Sequence, residues 1–356
     1  MAKILVINPG STSTKIAVYE DEKPVFVESV EHDQASLAPY PTIYDQFEWR
    51  SGLIRETAAR HGFKPEDFDA AVGRGGLLPR AQAGAYLVTE PLMDTLAHRP
   101  QSDHISNIGA ALAHSVVAPF GRPAYIYDPV TVDELEPIAR ITGFKEMERR
   151  GQGHNLNMRA AAIKKAKDSG RDYKDVTYIV VHMGGGITLS LHHKGRIIDM
   201  ISDDEGPFSP ERAGGLPGFQ LMALASSGQY DYKGLFNKAS RQGGLMSHFG
   251  TTDARAVLKM MDEGDARAAL VLEAMCLNVA KNVAKLTVVV SGKVEDIIIT
   301  GGLAHSKVFT DWITERVSFL APVTVIPGEN EMDSLALGAL RVLRGEEKAR
   351  EYQYPA

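Results

Sequence analysis

Short apolar runs alternate along the chain with turns that are rich in glycine and hydroxyl residues. The first run covers residues 4–7 and ends at an Asn-Pro-Gly sequence that begins at Asn8. Such a run predicts a buried strand that leads directly into a tight turn. Further strand-like runs over 16–19 and 23–27 place this turn at the tip of a hairpin.

The pattern of strand, turn and strand recurs in the second half of the chain. The apolar run 176–181 leads into a His-Met-Gly-Gly-Gly turn that begins at His182, and a second run over 187–191 follows. A related element joins the run 297–300 to two glycines. This repetition predicts a duplicated architecture in which each half of the chain presents a hairpin tip.

Helices are predicted between many of these strands. Residues 41–61 carry apolar side chains at helical spacing among charged ones, which is typical of an amphipathic helix. The other predicted helices cover 108–117, 157–166, 270–286 and 334–343, and two further strands cover 68–72 and 123–127. Strands that alternate with helices indicate an α/β fold.

The length and charge of the chain limit its possible functions. At 356 residues it is long enough for two domains, and 44% hydrophobic with 24% charged residues is ordinary for a globular protein. The net charge of -6 argues against nucleic acid as a partner, because phosphate backbones attract basic surfaces. A charged metabolite would therefore be bound by local positive residues.

Cysteine use and hydropathy indicate a cytoplasmic protein. The one cysteine, Cys276, cannot form an internal disulfide, and its place on the apolar side of the predicted helix 270–286 favours core packing over a catalytic thiol. The N-terminal apolar run is too short for a signal peptide, and no run approaches about 18 apolar residues, the length of a membrane span. We therefore expect no membrane partner.

The first hairpin tip carries groups that suit phosphate binding. Ser11 and Ser13 offer hydroxyl donors beside the backbone amides of the bend, and Lys15 places a positive charge at its edge. The turn is not a Walker A loop, because the Gly-Lys-Ser/Thr ending is missing and no helix follows. An ordinary polar turn is the alternative for this segment taken alone.

Two charged residues stand where predicted strands end. Arg74 lies between glycines that leave its guanidinium uncovered for a carboxylate or phosphoryl group, and an ordinary surface arginine is the alternative. Asp128 ends the strand 123–127, where open α/β sheets keep their chemistry, although turns also begin with aspartate.

Three motifs together resemble those of a known superfamily. The turn 8–15, the turn 182–186 and the element 300–305 are similar to the two phosphate motifs and the adenosine motif of the acetate and sugar kinase, heat-shock chaperone and actin superfamily. Within it, the chain most resembles the butyrate kinases of the acetokinase family, nearly from end to end. The resemblance implies two actin-like (ribonuclease H-like) domains, each a mixed β-sheet flanked by helices, with a nucleotide cleft between them.

The same resemblance implies the domain boundaries. The N-terminal domain is expected to contain 1–148 plus 331–356, and the C-terminal nucleotide-binding domain is expected to contain 149–330. The charged, glycine-punctuated stretch 140–150 is the expected crossover between them.

The resemblance also assigns site residues. The implied catalytic residues are Arg74, Arg212, His154, His104 and Asp128. The implied nucleotide or phosphate contacts are Asn8, Ser11, Ser13, Lys15, His182, Gly184, Gly185, Gly186, Asp253, Arg255, Gly301 and Gly302. Mg²⁺ is implied at Asn8 and Glu331, although the family pattern has a second acidic residue where this chain has Met332.

Several of these positions also suit a simpler structural role. His104 is placed to cap a helix, and His154 to stand at a plain helix entrance. Thr252 is a candidate N-cap for the helix that follows it, and Glu331 a candidate first-turn carboxylate.

Two other polar segments are interpreted without a metal. His192 and His193 lie beside a Lys-Gly turn and are predicted to be solvated, because no third ligand is spaced to complete a metal site. The polar loop 203–218 is long and rich in glycine, and loops of this kind are usually functional or disordered. The resemblance implies that it is functional.

The implied reaction is reversible transfer of the ATP γ-phosphoryl group to the carboxylate of butyrate or a branched short-chain fatty acid, giving an acyl phosphate and ADP. A carboxylate with a pKa of about 4 is ionised at neutral pH, so the reaction needs charge neutralisation and no general base. Asp128 is therefore expected to orient other groups or the metal. Transfer to acetate or propionate is an alternative, and an ATP-gated interaction protein is the alternative of another class. A homodimer or larger assembly is also implied.

Overall fold

The architecture is described from a computed structural model of the chain. It describes residues 1–79, 81–329 and 331–354. Residues 80, 330, 355 and 356 lie outside the described part, and so do the domain boundary predicted at 330 and the end of the segment predicted as 331–356.

The described residues form eleven strands and thirteen helices. The strands are β1 (Lys3–Pro9), β2 (Ser13–Glu20), β3 (Lys23–Glu31), β4 (Ala70–Arg74), β5 (Ala85–Leu87), β6 (Ala124–Tyr127), β7 (Thr177–Met183), β8 (Ile187–His193), β9 (Arg196–Ile201), β10 (Asp296–Gly301) and β11 (Val323–Pro327). The helices are α1 (Gln34–Leu37), α2 (Phe47–Arg60), α3 (Glu90–His98), α4 (Gly109–Val117), α5 (Pro137–Arg140), α6 (Asn155–Asp168), α7 (Gly218–Ala225), α8 (Tyr232–Arg241), α9 (Gly244–Phe249), α10 (Ala254–Asp262), α11 (Ala266–Thr287), α12 (Lys307–Val317) and α13 (Glu331–Leu343).

The chain forms two compact units. The first contains Met1–Asp133 together with the C-terminal segment Asn330–Ala356, and the second contains Glu134–Glu329. Each unit has a mixed β-sheet with helices packed on it and a buried apolar core of its own. This arrangement confirms the predicted α/β fold.

The sheet of the first unit has the strand order β3-β2-β1-β4-β6-β5. Strands β1, β2 and β3 pair in antiparallel fashion, β4 is parallel to β1 and to β6, and β5 is antiparallel to β6. Helices α4 and α13 pack on β1, β4 and β6, while α2 packs on β2 and α4. The apolar run of β1 is fully buried as a result, as the sequence predicted.

The sheet of the second unit has the strand order β11-β10-β7-β8-β9. Strands β7, β8 and β9 are antiparallel neighbours, and β10 is parallel to both β7 and β11. Helix α11 packs on β7, β8 and β9, and it buries Cys276 completely. Burial raises the pKa of this thiol to about 12, in agreement with its predicted packing role.

The two sheets repeat one topology. The order β3-β2-β1-β4-β6 in the first unit corresponds to β9-β8-β7-β10-β11 in the second, with the same sequence of antiparallel and parallel pairs. The hairpins β1–β2 and β7–β8 occupy equivalent places. The predicted duplication and both predicted hairpins are therefore present in the fold.

The change of unit falls between Asp133 and Glu134, ahead of the boundary predicted at 148. Contacts with β9 explain the difference. Glu134 accepts a hydrogen bond from the Ile197 amide at 3.1 Å, and Arg196 forms an ion pair with Glu136 at 2.8 Å. These contacts attach residues 134–136, which precede the expected crossover 140–150, to the second sheet.

His192 is buried, so the prediction that it is solvated was wrong. Its Nδ1 lies 2.7 Å from Tyr173 Oη, and its Nε2 lies 2.8 Å from Ser190 Oγ. Burial lowers the pKa of the ring to about 3, and the positive charge of Arg159 adds to this effect. The prediction failed because β8 continues beyond the apolar run and takes His192 into the sheet.

None of the helices among the described residues has both the length and the apolar character that crossing a bilayer requires.

Candidate active-site residues in each unit

The tip of the β1–β2 hairpin has a buried side and an exposed side. The Gly10 amide donates to the Ser13 carbonyl at 2.8 Å, which closes the bend. Thr14 is fully buried, whereas Ser11 and Thr12 are exposed. In the described part of the chain, no acceptor takes the amide protons of Ser11 and Thr12. Both amides therefore remain open to an anionic ligand.

Asn8 and Glu331 meet beside this tip. Asn8, at the end of β1, lies opposite Lys15 in the register of the hairpin. Its Nδ2 donates to Glu331 Oε2 at 2.6 Å, and Arg74 Nη2 lies 3.4 Å from Glu331 Oε1. The fold thus brings together an amide, a carboxylate and a guanidinium that were all predicted to be functional.

One nitrogen of the Arg74 guanidinium lacks a hydrogen-bond acceptor among the described residues. This nitrogen, Nη1, is buried. A buried guanidinium nitrogen without an acceptor is costly unless a ligand supplies one. The last residue of β4 is therefore prepared for a carboxylate or phosphoryl oxygen.

His104 is close enough to Arg74 for the two charges to interact. Burial lowers the pKa of His104, and the positive charge of Arg74 lowers it further. The Ser106 amide donates to His104 Nδ1 at 3.2 Å, so the neutral ring carries its proton on Nε2. His104 also precedes the short helical turn Ile105–Ile108, so the capping role and a ligand-binding role are both available to it.

Asp128 lies at the same end of the sheet as Arg74. Strands β4 and β6 are parallel, with Arg74 opposite Tyr127, and Asp128 follows directly. The Asp128 side chain is buried, accepts a hydrogen bond from the Gly84 amide at 2.7 Å, and has a left-handed backbone with φ of 41°. This geometry gives Asp128 a fixed orientation, which suits a residue that positions others.

The second hairpin tip is in close contact with Arg212. The Gly184 amide donates to the Gly186 carbonyl at 2.9 Å across the tip. A Cβ atom on Gly186 would lie 2.6 Å from Arg212 Nη1, so the guanidinium rests directly on this glycine. The Gly185 carbonyl accepts a hydrogen bond from Ser209 Oγ at 2.6 Å. The polar loop 203–218 is thus attached to the glycine turn.

Arg212 is paired with two carboxylates of its own loop. Its Nη1 forms an ion pair with Asp203, and its Nε lies 3.7 Å from Glu211 Oε1. The Arg212 side chain remains partly exposed. Its positive charge is held in place by these partners and is accessible to an anionic ligand.

His154 and His182 form a stacked pair in the second unit. Their ring centroids are 3.9 Å apart and the planes differ by 12°. Asn157 Nδ2 donates to His182 Nδ1 at 2.9 Å, so the neutral ring of His182 carries its proton on Nε2. That Nε2 is buried and lies 3.2 Å from Glu329 Oε1, without the geometry of a hydrogen bond. His182 thus offers an N–H group at the base of the glycine turn, and a ligand oxygen can accept a hydrogen bond from it.

Gly301 brings the end of β10 against the end of β7. Its φ of 92° is in the left-handed region that favours glycine, and a Cβ atom there would clash with the Met183 backbone. The neighbouring Gly302 has open space at the position of a Cβ atom. The backbone at Gly302 is therefore accessible to a close ligand.

Asp253 and Arg255 are bonded to each other. Arg255 Nε donates to Asp253 Oδ1 at 2.9 Å, and Arg255 Nη2 donates to Asp253 Oδ2 at 3.1 Å. Asp253 is also the N-cap of α10, because its side chain accepts from the Arg255 amide at 3.0 Å. Thr252 does not fill this role, in contrast to the alternative considered from the sequence. Arg255 is largely exposed, so its nucleotide contact stays a prediction.

The residues expected to hold Mg²⁺ supply a suitable set of donors. In the described ranges, no group of three or more His, Cys, Asp or Glu side chains is placed to bind a metal ion. Mg²⁺ does not require such a group, because it usually takes one or two carboxylates together with waters and substrate phosphates. The carboxylate of Glu331 and the side-chain oxygen of Asn8, which lie together, fit that pattern.

Three contacts of the candidate residues were missed from the sequence. Asp203 pairs with Arg212, Asn157 with His182, and Glu329 lies beside the same histidine. The spacing of Asn157 three residues after His154 was an available signal, because His154 immediately precedes α6 and residues three apart at the start of a helix lie near each other. Asp203 and Glu329 lie in irregular segments, where sequence spacing does not determine side-chain contacts.

Comparison with known proteins places this chain in a defined family. The chain belongs to the acetokinase family, whose model matches residues 148–321. It is 45% identical to Butyrate kinase 2 of Clostridium acetobutylicum over 353 residues, which cover 99% of this chain and 99% of that protein. The resemblance noted in the sequence is thereby confirmed.

Solved structures of similar proteins show the same fold. The acetate kinase of Porphyromonas gingivalis matches with a TM-score of 0.80 and 17% identity, over 96% of this chain and 100% of that chain. A propionate kinase from Francisella tularensis matches with a TM-score of 0.75 and 17% identity, over 95% and 99% of the two chains. The chain therefore has the fold of these acetate and propionate kinases.

Proposed function

We propose that this member of the acetokinase family is a butyrate kinase, which transfers the γ-phosphoryl group reversibly between ATP and the carboxylate of butyrate or a branched short-chain acid. The observation that carries the proposal is the 45% identity to Butyrate kinase 2 over 99% of both chains. The products in the forward direction are an acyl phosphate and ADP.

The residues of the chain suit a reaction between two anions. The acceptor carboxylate is ionised at neutral pH and is itself the nucleophile, so no side chain has to remove a proton. The repulsion between the carboxylate and the polyphosphate has to be relieved. Arg74 offers a buried Nη1 without a partner, Arg212 offers a charge at the second hairpin tip, and neutral His104 offers its Nε2 proton. We assign the two arginines to charge neutralisation and His104 to hydrogen bonding with an anionic oxygen.

The two hairpin tips are assigned to the phosphates of the nucleotide. At the first tip, the amides of Ser11 and Thr12 have no acceptor in the described chain, and Ser13 and Lys15 stand beside them. At the second tip, the donor is Nε2 of His182 at the base of the glycine turn.

Mg²⁺ is the proposed metal, with Asn8 and Glu331 as its protein ligands. When bound, the ion neutralises phosphate charge and holds the phosphate oxygens in one geometry. Arg74 contacts Glu331, so the guanidinium fixes the carboxylate that would face the ion. Asp128 is held by Gly84 and is assigned a positioning role, because the reaction needs no base.

The preferred acid is the finer part of the proposal. One methylene group changes binding by only about 1 to 3 kcal/mol, which limits the discrimination between butyrate and propionate to about 10- to 200-fold. The likeness to the acetate and propionate kinases named above concerns the fold alone. We therefore propose butyrate as the acid on the strength of the full-length relative.

Self-association and a cytoplasmic location complete the proposal. Helix α7 has no charged residue and no buried residue, and its Phe219 is 88% exposed. An apolar helix surface of this kind favours burial against a second copy of the chain in a homodimer or larger assembly. Dependence on ATP and a single buried cysteine favour the cytoplasm.

A hydroxylamine trap for acyl phosphate tests the proposed reaction. The purified chain is incubated with ATP, Mg²⁺ and one acid at a time, from acetate through propionate, butyrate, isobutyrate and isovalerate. We expect acyl hydroxamate with the highest kcat/KM for butyrate or isobutyrate. A highest value for acetate or propionate would contradict the choice of acid, and no hydroxamate with any acid would contradict kinase activity and favour an ATP-gated interaction protein.

A further inference from the structure

A buried arginine holds the first hairpin tip from its inner side. Arg50, in α2, is fully buried. Its Nη1 donates to the Ser13 carbonyl at 2.9 Å and to Thr14 Oγ1 at 2.7 Å, while its Nη2 donates to the Gly10 carbonyl at 3.1 Å. Its Nε donates to Gln46 Oε1 at 3.0 Å. The guanidinium thus spans both ends of the tip.

The charge of Arg50 has no anionic partner in the described part of the chain. All of its hydrogen-bond acceptors are neutral oxygens. Burial accordingly lowers the pKa of Arg50 to about 10. The pKa of the nearby His32 is also lowered, first by the burial of its ring and second by the positive charge of Arg50. A buried guanidinium without a carboxylate is costly for stability, because neither water nor an opposite charge compensates it. An anion bound at the tip would offset that cost.

The bonds from Arg50 also determine where the tip directs its amides. In a trans peptide the carbonyl and the N–H of the next residue point to opposite sides. Because Arg50 holds the Gly10 carbonyl on the inner side, the Ser11 amide is directed to the outer side. The His32 amide holds the Thr12 carbonyl in turn, at 2.7 Å. The bond from Arg50 to the Gly10 carbonyl therefore keeps the Ser11 amide available.

We propose that Arg50 is a positioning residue for phosphate binding, which fixes the hairpin tip 10–14 in the conformation that accepts a nucleotide phosphate. Its uncompensated charge adds to the attraction of the tip for that anion. This inference rests on the proposed function, in which the tip binds the nucleotide and not the acid. Arg50 itself does not touch the ligand, since it is buried beneath the tip.

Two substitutions separate the geometry from the charge. Arg50→Met removes both the donors and the charge, whereas Arg50→Lys keeps the charge and loses the planar fork that reaches both carbonyls. Arg55→Met is the matched control, because Arg55 is an exposed arginine of the same helix that donates to the Ser115 carbonyl. Circular dichroism and the thermal unfolding midpoint are measured first for all three variants.

Nucleotide affinity is the decisive measurement. Isothermal titration with ADP and the KM values for ATP and for butyrate are compared with those of the unchanged protein. We expect Arg50→Met to weaken ADP binding and raise the KM for ATP by about tenfold or more, with the KM for butyrate changed by less than about threefold. Arg50→Lys should be intermediate, and Arg55→Met should match the unchanged protein.

Two results would overturn the inference. One is an ADP affinity of folded Arg50→Met equal to that of Arg55→Met. The other is an equal rise in KM for ATP and for butyrate, which indicates a general loss of structure. If Arg50→Met does not fold, Thr14→Val removes one acceptor of Arg50 with little change in shape, and an unchanged ADP affinity in that variant would overturn the inference as well.

Failure of the proposed function gives a different result. If the unchanged protein binds ADP but forms no acyl phosphate, the assigned reaction is wrong, and the ADP titrations still decide the role of Arg50. If the unchanged protein does not bind ADP, both the proposed function and this inference are wrong.

Discussion

Asn8 Nδ2 donates a hydrogen bond of 2.6 Å to Glu331 Oε2, although the two residues are 323 positions apart in the chain. The bond joins the end of β1 to the first turn of α13. It places a carboxylate beside the first hairpin tip and within 3.4 Å of Arg74. The charge of Glu331 therefore serves two neighbours, the guanidinium and the proposed metal ion.

Substitution of Glu331 tests this shared role. Glu331→Gln keeps the shape of the side chain and removes its charge, so we expect turnover to fall by about 100-fold, with a higher Mg²⁺ concentration needed for half-maximal rate. Initial rates over a Mg²⁺ series provide the measurement. Glu346→Gln, at an exposed glutamate after α13, is the control. A rate and Mg²⁺ requirement equal to those of the control would remove Glu331 from the site.

Arg74 should not tolerate replacement by lysine. Its buried Nη1 lacks a partner while its Nη2 faces Glu331, and a single ammonium group cannot make both contacts. We expect Arg74→Ala and Arg74→Lys each to lower kcat/KM for butyrate by about 100-fold or more, measured by hydroxamate formation. Arg99→Ala is the control, since Arg99 pairs with Asp94 on the surface. Near-normal kcat/KM in Arg74→Lys would show that only the charge matters.

Gly186→Ala should displace Arg212 without unfolding the second unit. The new Cβ would lie 2.6 Å from Nη1 and 2.8 Å from Cζ, and the end of a flexible side chain can move away. We expect kcat to fall by about tenfold or more at saturating ATP and acid, with little change in the unfolding temperature. Gly218→Ala, where no atom lies within 4 Å of the Cβ position, is the control. Unchanged kcat would mean that the position of Arg212 is unimportant for turnover.

The buried His192 should lower the free energy of unfolding as the pH falls. Its pKa is about 3 in the folded protein and has its ordinary value of 6.5 when unfolded, so between these values the unfolded state binds the extra proton. Stability should thus be complete above about pH 6.5 and fall as pH decreases toward 3, by up to about 1.4 kcal/mol per pH unit from this group.

Urea unfolding of His192→Gln and the unchanged protein from pH 8 to pH 4 checks this expectation. The variant should be less stable at pH 8, because Tyr173 and Ser190 lose the geometry of their bonds to the ring. Its stability should then decline less steeply in acid. Parallel curves for the two proteins would exclude His192 as the source of the acid sensitivity.

The sequence predicted those parts of the fold that depend on local pattern. The runs of β1 and β7, their turns and the buried Cys276 followed from apolar spacing and glycine position. Arg74 and Asp128, two candidate residues predicted at strand ends, lie at the same end of the first sheet. Strand ends lie at one edge of a sheet, so local pattern is sufficient for them.

Contacts between distant segments did not follow from the sequence. Arg50 reads as one more charged residue on an amphipathic helix, and only the packing of α2 on β2 shows that it lies beneath the hairpin tip. Asp203 reads as one of several acids in a polar loop, and its pairing with Arg212 depends on the path of that loop. The prediction that His192 is solvated was wrong for a related reason. The end of β8 is determined by its pairing with β9 and not by its own composition.

The return of α13 to the first unit has a consequence for synthesis of the protein. The second unit is continuous in the chain, from Glu134 to Glu329, and all of it has been translated before Glu331 emerges from the ribosome. Until then the first unit lacks helix α13, which packs on its sheet, and also lacks Glu331, the hydrogen-bond partner of Asn8. The domain whose translation begins first is therefore the last to be completed, and a message truncated before α13 would yield a protein with an intact second unit and no assembled first site.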